Sequence, residues 1–313
     1  MSLKNEILFE LLNSDDYISG EELAEKYNKS RAGVWKAIKA LIRDGYNIEG
    51  ITNKGYKLID DRNLVSAQSI KKHLKSDIDV LYYPSVDSTN NLCKKLLADG
   101  RKGCFLVVAN EQTAGRGRQG KSFYSPADTG IYFSLVTRPN LPLQNAVTAT
   151  TAAAVCVCKA IETLTDKKPE IKWVNDVFVD GGKICGILTE AITNFEENIV
   201  ESVIVGIGIN VNTSEFPVEL TEAGCLNANV NRSELVAKIC DELMSVADGD
   251  CKGFIDYYRH HSMVLGREIR FIQNGVVTSA TAIAIDETGG LEVELKDKSR
   301  TVLRSGEISL RFN

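Results

Sequence analysis

Residues 115–122 read GRGRQGKS, which satisfies the phosphate-loop pattern G-x-x-x-x-G-K-[ST]. The residues after it argue against the fold this pattern serves. A phosphate loop works between a strand and a helix, because the helix N-terminus supplies the amides and dipole that hold the anion. Upstream, residues 104–109 (CFLVVA) form a strand-like apolar run. Downstream, FYSPADTG puts Pro126 inside the required helix and Gly130 just after it, and residues 131–136 are strand-like again. The acidic residue such a site needs after a second strand is also missing, since residues 199–210 close on VGIGIN. What remains is a loop in which Gly115, Gly117 and Gly120 alternate with Arg116 and Arg118. Its backbone can approach a ligand closely, and its guanidinium forks suit carboxylate or phosphate oxygens. Taken alone, the same loop reads equally as a solvated basic turn.

At 313 residues the chain is long enough for two or three domains. No apolar run approaches the ~20 residues that span a bilayer, and no signal-peptide pattern opens the chain. The eight cysteines lack any C-x-x-C pair, and Cys156 and Cys158 fall in an alanine-rich helical stretch, which predicts packing thiols in a reducing cytoplasm. With three histidines, none near the glycine loop, neither a histidine triad nor a zinc spacing is present. Charge is unevenly placed. Residues 1–25 carry one lysine against seven acids, whereas residues 26–57 carry eight basic residues against Asp44 and Glu49. A concentrated basic segment in an acidic chain predicts one local polyanion-binding face.

That segment lies in a recognisable pattern. LKNEILFELLNS places Ile7, Leu8, Leu11 and Leu12 at helical spacing, and SGEELAEKYN opens with Ser19 and Glu22 as a capping box. A third helix is predicted from Ser30, with Val34, Ile38, Leu41 and Ile42 as its apolar stripe, Lys36, Lys39 and Arg43 opposite, and Gly45 as its stop. Two short strands around the turn Asn53-Lys54-Gly55 follow. Three helices and a basic hairpin make a winged helix-turn-helix. Ser30, Arg31, Lys36, Lys39 and Arg43 are the expected major-groove face, with Lys54 and Lys57 near phosphates. A protein-interaction module with a solvated face is the competing reading.

Residues 60–67 read as a linker. Beyond them strands alternate with helices at 145–164 and 233–246, and short strands are expected at 80–83, 131–137, 171–174, 184–190 and 203–211. From about residue 266 the chain breaks into short β runs, which predicts a small β-barrel appended to an α/β (α+β) body. The resulting division is 1–62, 63–265 and 266–313. Three polar clusters stand out in the middle part. SVDSTNN (85–91) follows a strand and opens a helix, where capping would explain it. EIKWVNDVFV sets Lys172, Asn175 and Asp176 at the end of an apolar strand, where a turn would explain them. GGKICGILTE sends Lys183 into an apolar run, which is costly unless the ammonium is paired and so points to a ligand anion.

In order, DSTN, GRGRQG, KWVND, GGKICGIL, GIGIN and GEISLR resemble the biotin protein ligases, and the winged helix in front makes the chain similar to their bifunctional, operon-repressing kind. Each motif is weak singly, while the ordered set covers about residues 4–311. The resemblance implies a central mixed-sheet ligase domain and a small SH3-like C-terminal barrel. It implies formation of biotinyl-5′-AMP from biotin and ATP with Mg²⁺, followed by transfer of biotin to a lysine of a carrier domain. It implies that Ser88, Thr89 and Gln112 hydrogen-bond the ureido ring, with Asn90 and Gly186 in the same biotin set. Arg116, Gly117 and Arg118 would wrap the ligand, and Lys183 would meet the carboxylate and α-phosphate. Lys121, Phe123, Asn175 and Asn210 would serve the nucleotide together with Arg118 and Lys183. Lys183, Arg118 and Asp176 are the expected catalytic groups, Asp176 as the base for the carrier amine, and no residue is assigned as a dedicated metal ligand. The implied partners are the carrier domain, operator DNA and a second copy of the chain once biotinyl-AMP is bound, without a membrane.

Three positions depart from the family's pattern. Val174 stands where Pro is common, Lys121 replaces Arg with loss of bidentate geometry, and Phe123 replaces Trp with a smaller aromatic surface. No lipoate-type signature is present. A biotin-sensing transcription factor without ligase activity is the alternative reading, and an enzyme with a vestigial winged helix differs only in DNA binding.

Overall fold

The computed structural model describes residues 2–60, 64–138, 141–142, 146–194, 199–247, 253–273, 276–306 and 308–310. The expected contributions of Cys251, Glu307 and Arg311 lie outside the described residues.

Serine punctuation builds the N-terminal unit. Helices α1 (Leu3–Leu12), α2 (Gly20–Lys26) and α3 (Arg31–Arg43) follow Ser2, Ser19 and Ser30, and each serine side chain accepts the backbone N–H three residues on. Ile7, Leu8, Leu11, Leu23, Val34, Ile38 and Leu41 close a core of their own. Strands β1 (Asn47–Ile51) and β2 (Gly55–Asp60) form the antiparallel wing. Gly55, at φ +112°, lies so close to Ile18 that a Cβ would come within 2.1 Å of its carbonyl oxygen, which pins the wing to the helices. One predicted core residue is misplaced: Ile42 is 41% exposed, and Ala37 is buried in its stead. At 3.6 residues per turn Ile42 lies about 100° around the helix from Leu41, off the row 34, 37, 38, 41. Residues 64–67 are no free linker either, because Val65 is buried in the central core and Ser66 caps α4 (Ala67–His73).

The central body is an eight-stranded mixed sheet of order β3-β4-β5-β10-β9-β8-β7, with β6 (Leu141–Pro142) paired to β10. Its strands are β3 (Asp79–Val86), β4 (Phe105–Gln112), β5 (Gly130–Thr137), β7 (Glu170–Lys172), β8 (Asp176–Val179), β9 (Gly182–Asn194) and β10 (Ile199–Asn210). Among the described strands of this sheet β3 and β4 run parallel, and the remaining pairs are antiparallel. The strand expected over 171–174 ends at Lys172, and Trp173, Val174 and Asn175 turn into β8. Helices α6 (Ala146–Leu164), α7 (Arg232–Ala247) and α8 (Phe254–His260) cover one face through a single large apolar core. Helix α5 (Thr89–Ala98) covers part of the other over Phe105, Val107, Val136 and Ile204. The rest of that second face is left for a site.

The C-terminal part is a five-stranded antiparallel sheet of order β14-β13-β12-β11-β15, the small β domain predicted from the short β runs. It comprises β11 (Glu268–Gln273), β12 (Val276–Ile285), β13 (Leu291–Leu295), β14 (Arg300–Leu303) and β15 (Ile308–Leu310). Its Ile269, Phe271, Leu291 and Val293 join the central core.

Candidate active site

The site is made by strand alternation. Along β10, Val203, Val205, Ile207 and Ile209 point into the helix-covered core, so Ile204, Gly206, Gly208 and Asn210 face the opposite side. Gly208 stands directly across from Gly186 of β9. A Cβ on Gly208 would lie 2.3 Å from the Phe123 ring, one on Gly186 3.0 Å from it, and one on Gly206 2.1 Å from Asn90 Oδ1. The missing side chains therefore form a floor on which Phe123 and Asn90 lie flat. Above this floor opens a cleft of about 620 Å³.

One end of the cleft is polar and largely uncharged. Ser88, Thr89 and Asn90 reach it from the start of α5, and Gln112 from the end of β4. The Thr89 N–H donates to Gln112 Oε1 at 2.9 Å, and Gln112 Nε2 donates to Ser125 Oγ at 2.9 Å. Ser134 Oγ reaches both Thr89 Oγ1 (2.7 Å) and Asn90 Oδ1 (2.6 Å). Helix capping, the simplest explanation of this cluster, fails: Ser88 is the N-cap residue and is buried, yet its side chain makes no capping bond.

The other end is cationic. Lys183 Nζ sits 2.8 Å from Asp176 Oδ2, Arg118 Nη1 donates to Asn175 Oδ1 at 3.2 Å, and Lys172, almost fully buried, grips both oxygens of Glu222 at 2.9 and 2.8 Å. Lys183 departs from the sequence expectation in one respect. Its ammonium already has a protein partner and its side chain is 31% exposed on the cleft wall, so burial alone does not demand a ligand anion. The stronger sign lies in the acceptors. Asp176 Oδ1 and Asn210 Oδ1 are buried without a hydrogen-bond partner among the described residues, and both residues line the cleft. Orphaned buried acceptors are costly and mark places where a donor or cation from outside belongs.

The glycine loop folds over the cleft as a closed turn. Gly117 N–H donates to Lys121 O (2.7 Å) and Phe123 N–H to Gly115 O (2.8 Å), while Arg118–Gly120 makes a single 3₁₀ turn in which Gln119 and Gly120 have positive φ. Arg116 Nη1 reaches Asn91 Oδ1 at 3.0 Å and Glu190 at 3.3 Å. Burial pushes the Glu190 carboxyl upward, but bonds from Lys94 and Asn90 and the charges of Lys94 and Arg116 outweigh it, leaving its pKa below the ordinary glutamate range. Behind the cleft, Trp173 Nε1 donates to Gly289 O of the C-terminal sheet (2.9 Å) and Tyr258 OH to Val174 O (3.1 Å), fixing the turn that presents Asn175 and Asp176.

All the cleft residues expected from the motifs line this one cavity, from Ser88 to Asn210, including Gly117, Lys121 and Gly186. Ser134 and Glu222 fall outside the quoted motifs, while Gly206, Gly208 and Glu190 stand inside GIGIN and GGKICGILTE with no role assigned from sequence. The Gly-Ile alternation in VGIGIN carried the signal for the floor, because period two sends both glycines to one face.

The residues expected to face nucleic acid lie on the N-terminal unit. Arg31, Lys36, Lys39 and Arg43 are exposed on α3, Lys39 lies over the Trp35 ring (5.7 Å), and Lys54 and Lys57 of the wing hairpin lie over Tyr17 of the α1–α2 connection (5.9 Å each). The Ser30 hydroxyl accepts the Gly33 N–H and caps α3.

A helix-turn-helix unit, a mixed sheet with a glycine-floored cationic cleft and a small antiparallel sheet follow one another along the chain. Comparison with known proteins agrees: the HTH domain model matches residues 4–57, the biotin/lipoate A/B protein ligase family model residues 82–210, and the biotin protein ligase C terminal domain model residues 264–311. The bifunctional ligase/repressor BirA of Bacillus spizizenii is 39% identical over 212 residues, 66% of this chain and 65% of that protein's length. BirA of Escherichia coli is 26% identical over 97% of this chain and 96% of its own. Among solved structures, the Aquifex aeolicus biotin protein ligase in complex with biotin and ATP superposes with a TM-score of 0.62 at 27% identity, covering 75% of this chain and 99% of that one. The chain belongs to the biotin protein ligase family.

Proposed function

We propose that this chain is a biotin–carrier-protein ligase that also represses transcription when it holds biotinyl-5′-AMP, with residues 1–62 as the DNA-binding unit, 63–265 as the catalytic domain and 266–313 as a supporting β domain. The observation that carries the reading is the division of one cleft into a neutral hydrogen-bonding end and a cationic end with two orphaned acceptors. Biotin fits that division: an uncharged ureido ring faces Ser88, Thr89, Asn90 and Gln112, and its carboxylate extends toward Lys183. In the first step a carboxylate oxygen of biotin bonds to the α-phosphorus of ATP as the bond to the β-phosphate oxygen breaks, releasing pyrophosphate. Because the substrate supplies its own nucleophile, the protein contributes cations where charge builds up, Lys183 and Arg118, and positions the reactants. In the second step the carrier lysine amine bonds to the biotinyl carbonyl carbon, the bond to AMP breaks, and Asp176 takes the amine proton. Phe123, Lys121, Asn175 and Asn210 serve the nucleotide, and Gly117, Arg118 and Gly186 shape the wall.

Mg²⁺ fits one position. Asp176 Oδ1 is an orphaned oxygen, and no group of three or more acidic, histidine or cysteine side chains that could hold a metal occurs among the described residues. One or two carboxylates plus substrate phosphates are the usual share of a Mg²⁺ site, so Asp176 would be its protein ligand. Bound there with the nucleotide, the ion neutralises phosphate charge.

The DNA-binding unit would place α3 in the major groove and the wing lysines on phosphates, and a homodimer would read two half-sites. No described helix is long and apolar enough to cross a membrane.

The enzyme reading is tested without a carrier: a biotin-dependent burst of pyrophosphate close to one per chain, followed by a slow phase, is the expected course. Binding of biotin with no burst would leave the sensor reading standing. A second test uses the floor. Gly206→Ala puts a methyl group 2.1 Å from Asn90 Oδ1, and overpacking of about 1–3 kcal/mol predicts a roughly tenfold or greater loss of biotin affinity in calorimetric titration.

A further inference from the structure

The carboxylate of Glu190 is shared by two parts of the molecule that have different tasks. It accepts from Asn90 Nδ2 at 2.9 Å and Lys94 Nζ at 2.7 Å, both on α5, and its two oxygens lie 3.3 and 3.4 Å from Arg116 Nη1 on the glycine loop. Asn90 is fixed at its other end by Ser134 and sits in the space that Gly206 leaves bare. The Arg116 guanidinium is engaged by Glu190 and by Asn91 of α5. Its contribution in this arrangement is to fasten the loop.

We propose that Glu190 is a positioning residue that latches the 115–122 loop to the biotin end of the cleft, so that loop closure and retention of the adenylate share one anchor. The biotin and adenylate part of this inference rests on the ligase reading above. Two features make the latch more than a surface ion pair. The Glu190 side chain is only 20% exposed, and it separates two cations, Lys94 and Arg116, that face the same carboxylate. Neutralising it removes a charge-assisted anchor and leaves those like charges opposed. The carboxyl is also held below its ordinary range, so the latch stays ionised across neutral pH.

The test uses Glu190→Gln, which keeps size and shape, in the full chain. In the ligand-free protein, trypsin cleavage after Arg116, Arg118 or Lys121 followed by intact mass should run roughly tenfold faster than in the wild type, the effect expected for losing a charge-assisted bond. With biotin and MgATP, release of preformed biotinyl-AMP should accelerate by a similar factor, and kcat for carrier labelling at saturating biotin should fall less than retention does. Arg116→Ala attacks the same pair from an exposed loop position and should mimic both effects. The double variant should be no worse than either single, since coupled partners are non-additive. Wild-type cleavage and release rates in Glu190→Gln, or fully additive effects in the double variant, would overturn the latch. A wild type that forms no adenylate would overturn the ligase reading instead, and the ligand-free proteolysis would still decide the latch.

Discussion

Lys183→Ala is expected to lower the biotin-dependent pyrophosphate burst by about 10²- to 10³-fold, the usual effect of removing one preorganised charge at a developing anion. The geometry gives the loss two sources. The ammonium that would meet the biotin carboxylate and the α-phosphate disappears, and Asp176, 2.8 Å away, loses its partner and faces the incoming phosphates as an unpaired anion. Lys183→Arg restores the charge without restoring the position of the compact ammonium near the start of β9, so only partial recovery is expected. Because the side chain is partly exposed, thermal stability should change little. Single-turnover quench with saturating biotin and MgATP measures the effect. A burst within a few fold of wild type would remove Lys183 from the chemistry.

Lys36→Ala, Lys39→Ala and Arg43→Ala combined are expected to separate the two activities. If these exposed side chains of α3 contact phosphates, losing all three reduces the slope of log K against log salt by up to about 2.7, since each neutralised phosphate contributes ~0.9. Affinity for duplex DNA carrying the chain's selected site should then fall by about 10² or more near physiological salt. Carrier labelling should persist, because the helical unit has an apolar core separate from that of the central sheet. A binding titration of the triple variant across a salt series checks this. An unchanged slope would move the DNA contacts off α3.

The sequence made the helical front legible because its signals are local: a serine at each helix start, an apolar row at helical spacing and a Gly stop after α3. Ile42 was misread because one step along a helix is about 100° of rotation, and only packing decides which edge of a stripe is wet. The motif residues were legible as polar islands in apolar strands, and they do meet in one cleft. Their partners were not. Ser134, Glu190 and Glu222 lie 44, 100 and 50 positions from Asn90 or Lys172, the residues they bond, and no spacing rule joins them. Ser88 shows the opposite failure: its position at a helix start is the local signal for a cap, yet its buried side chain makes no capping bond. The glycine floor sits between these cases, visible as alternation in VGIGIN but interpretable only once Gly208 is seen across from Gly186 with Phe123 upon them.

Incubating the chain with biotin, MgATP and a biotin-carrier domain, and reading the carrier by intact mass, tests the central claim most directly. The account predicts one added biotinyl group, dependent on ATP and lost in Lys183→Ala. A carrier of unchanged mass, with biotin still bound to the chain, would contradict it.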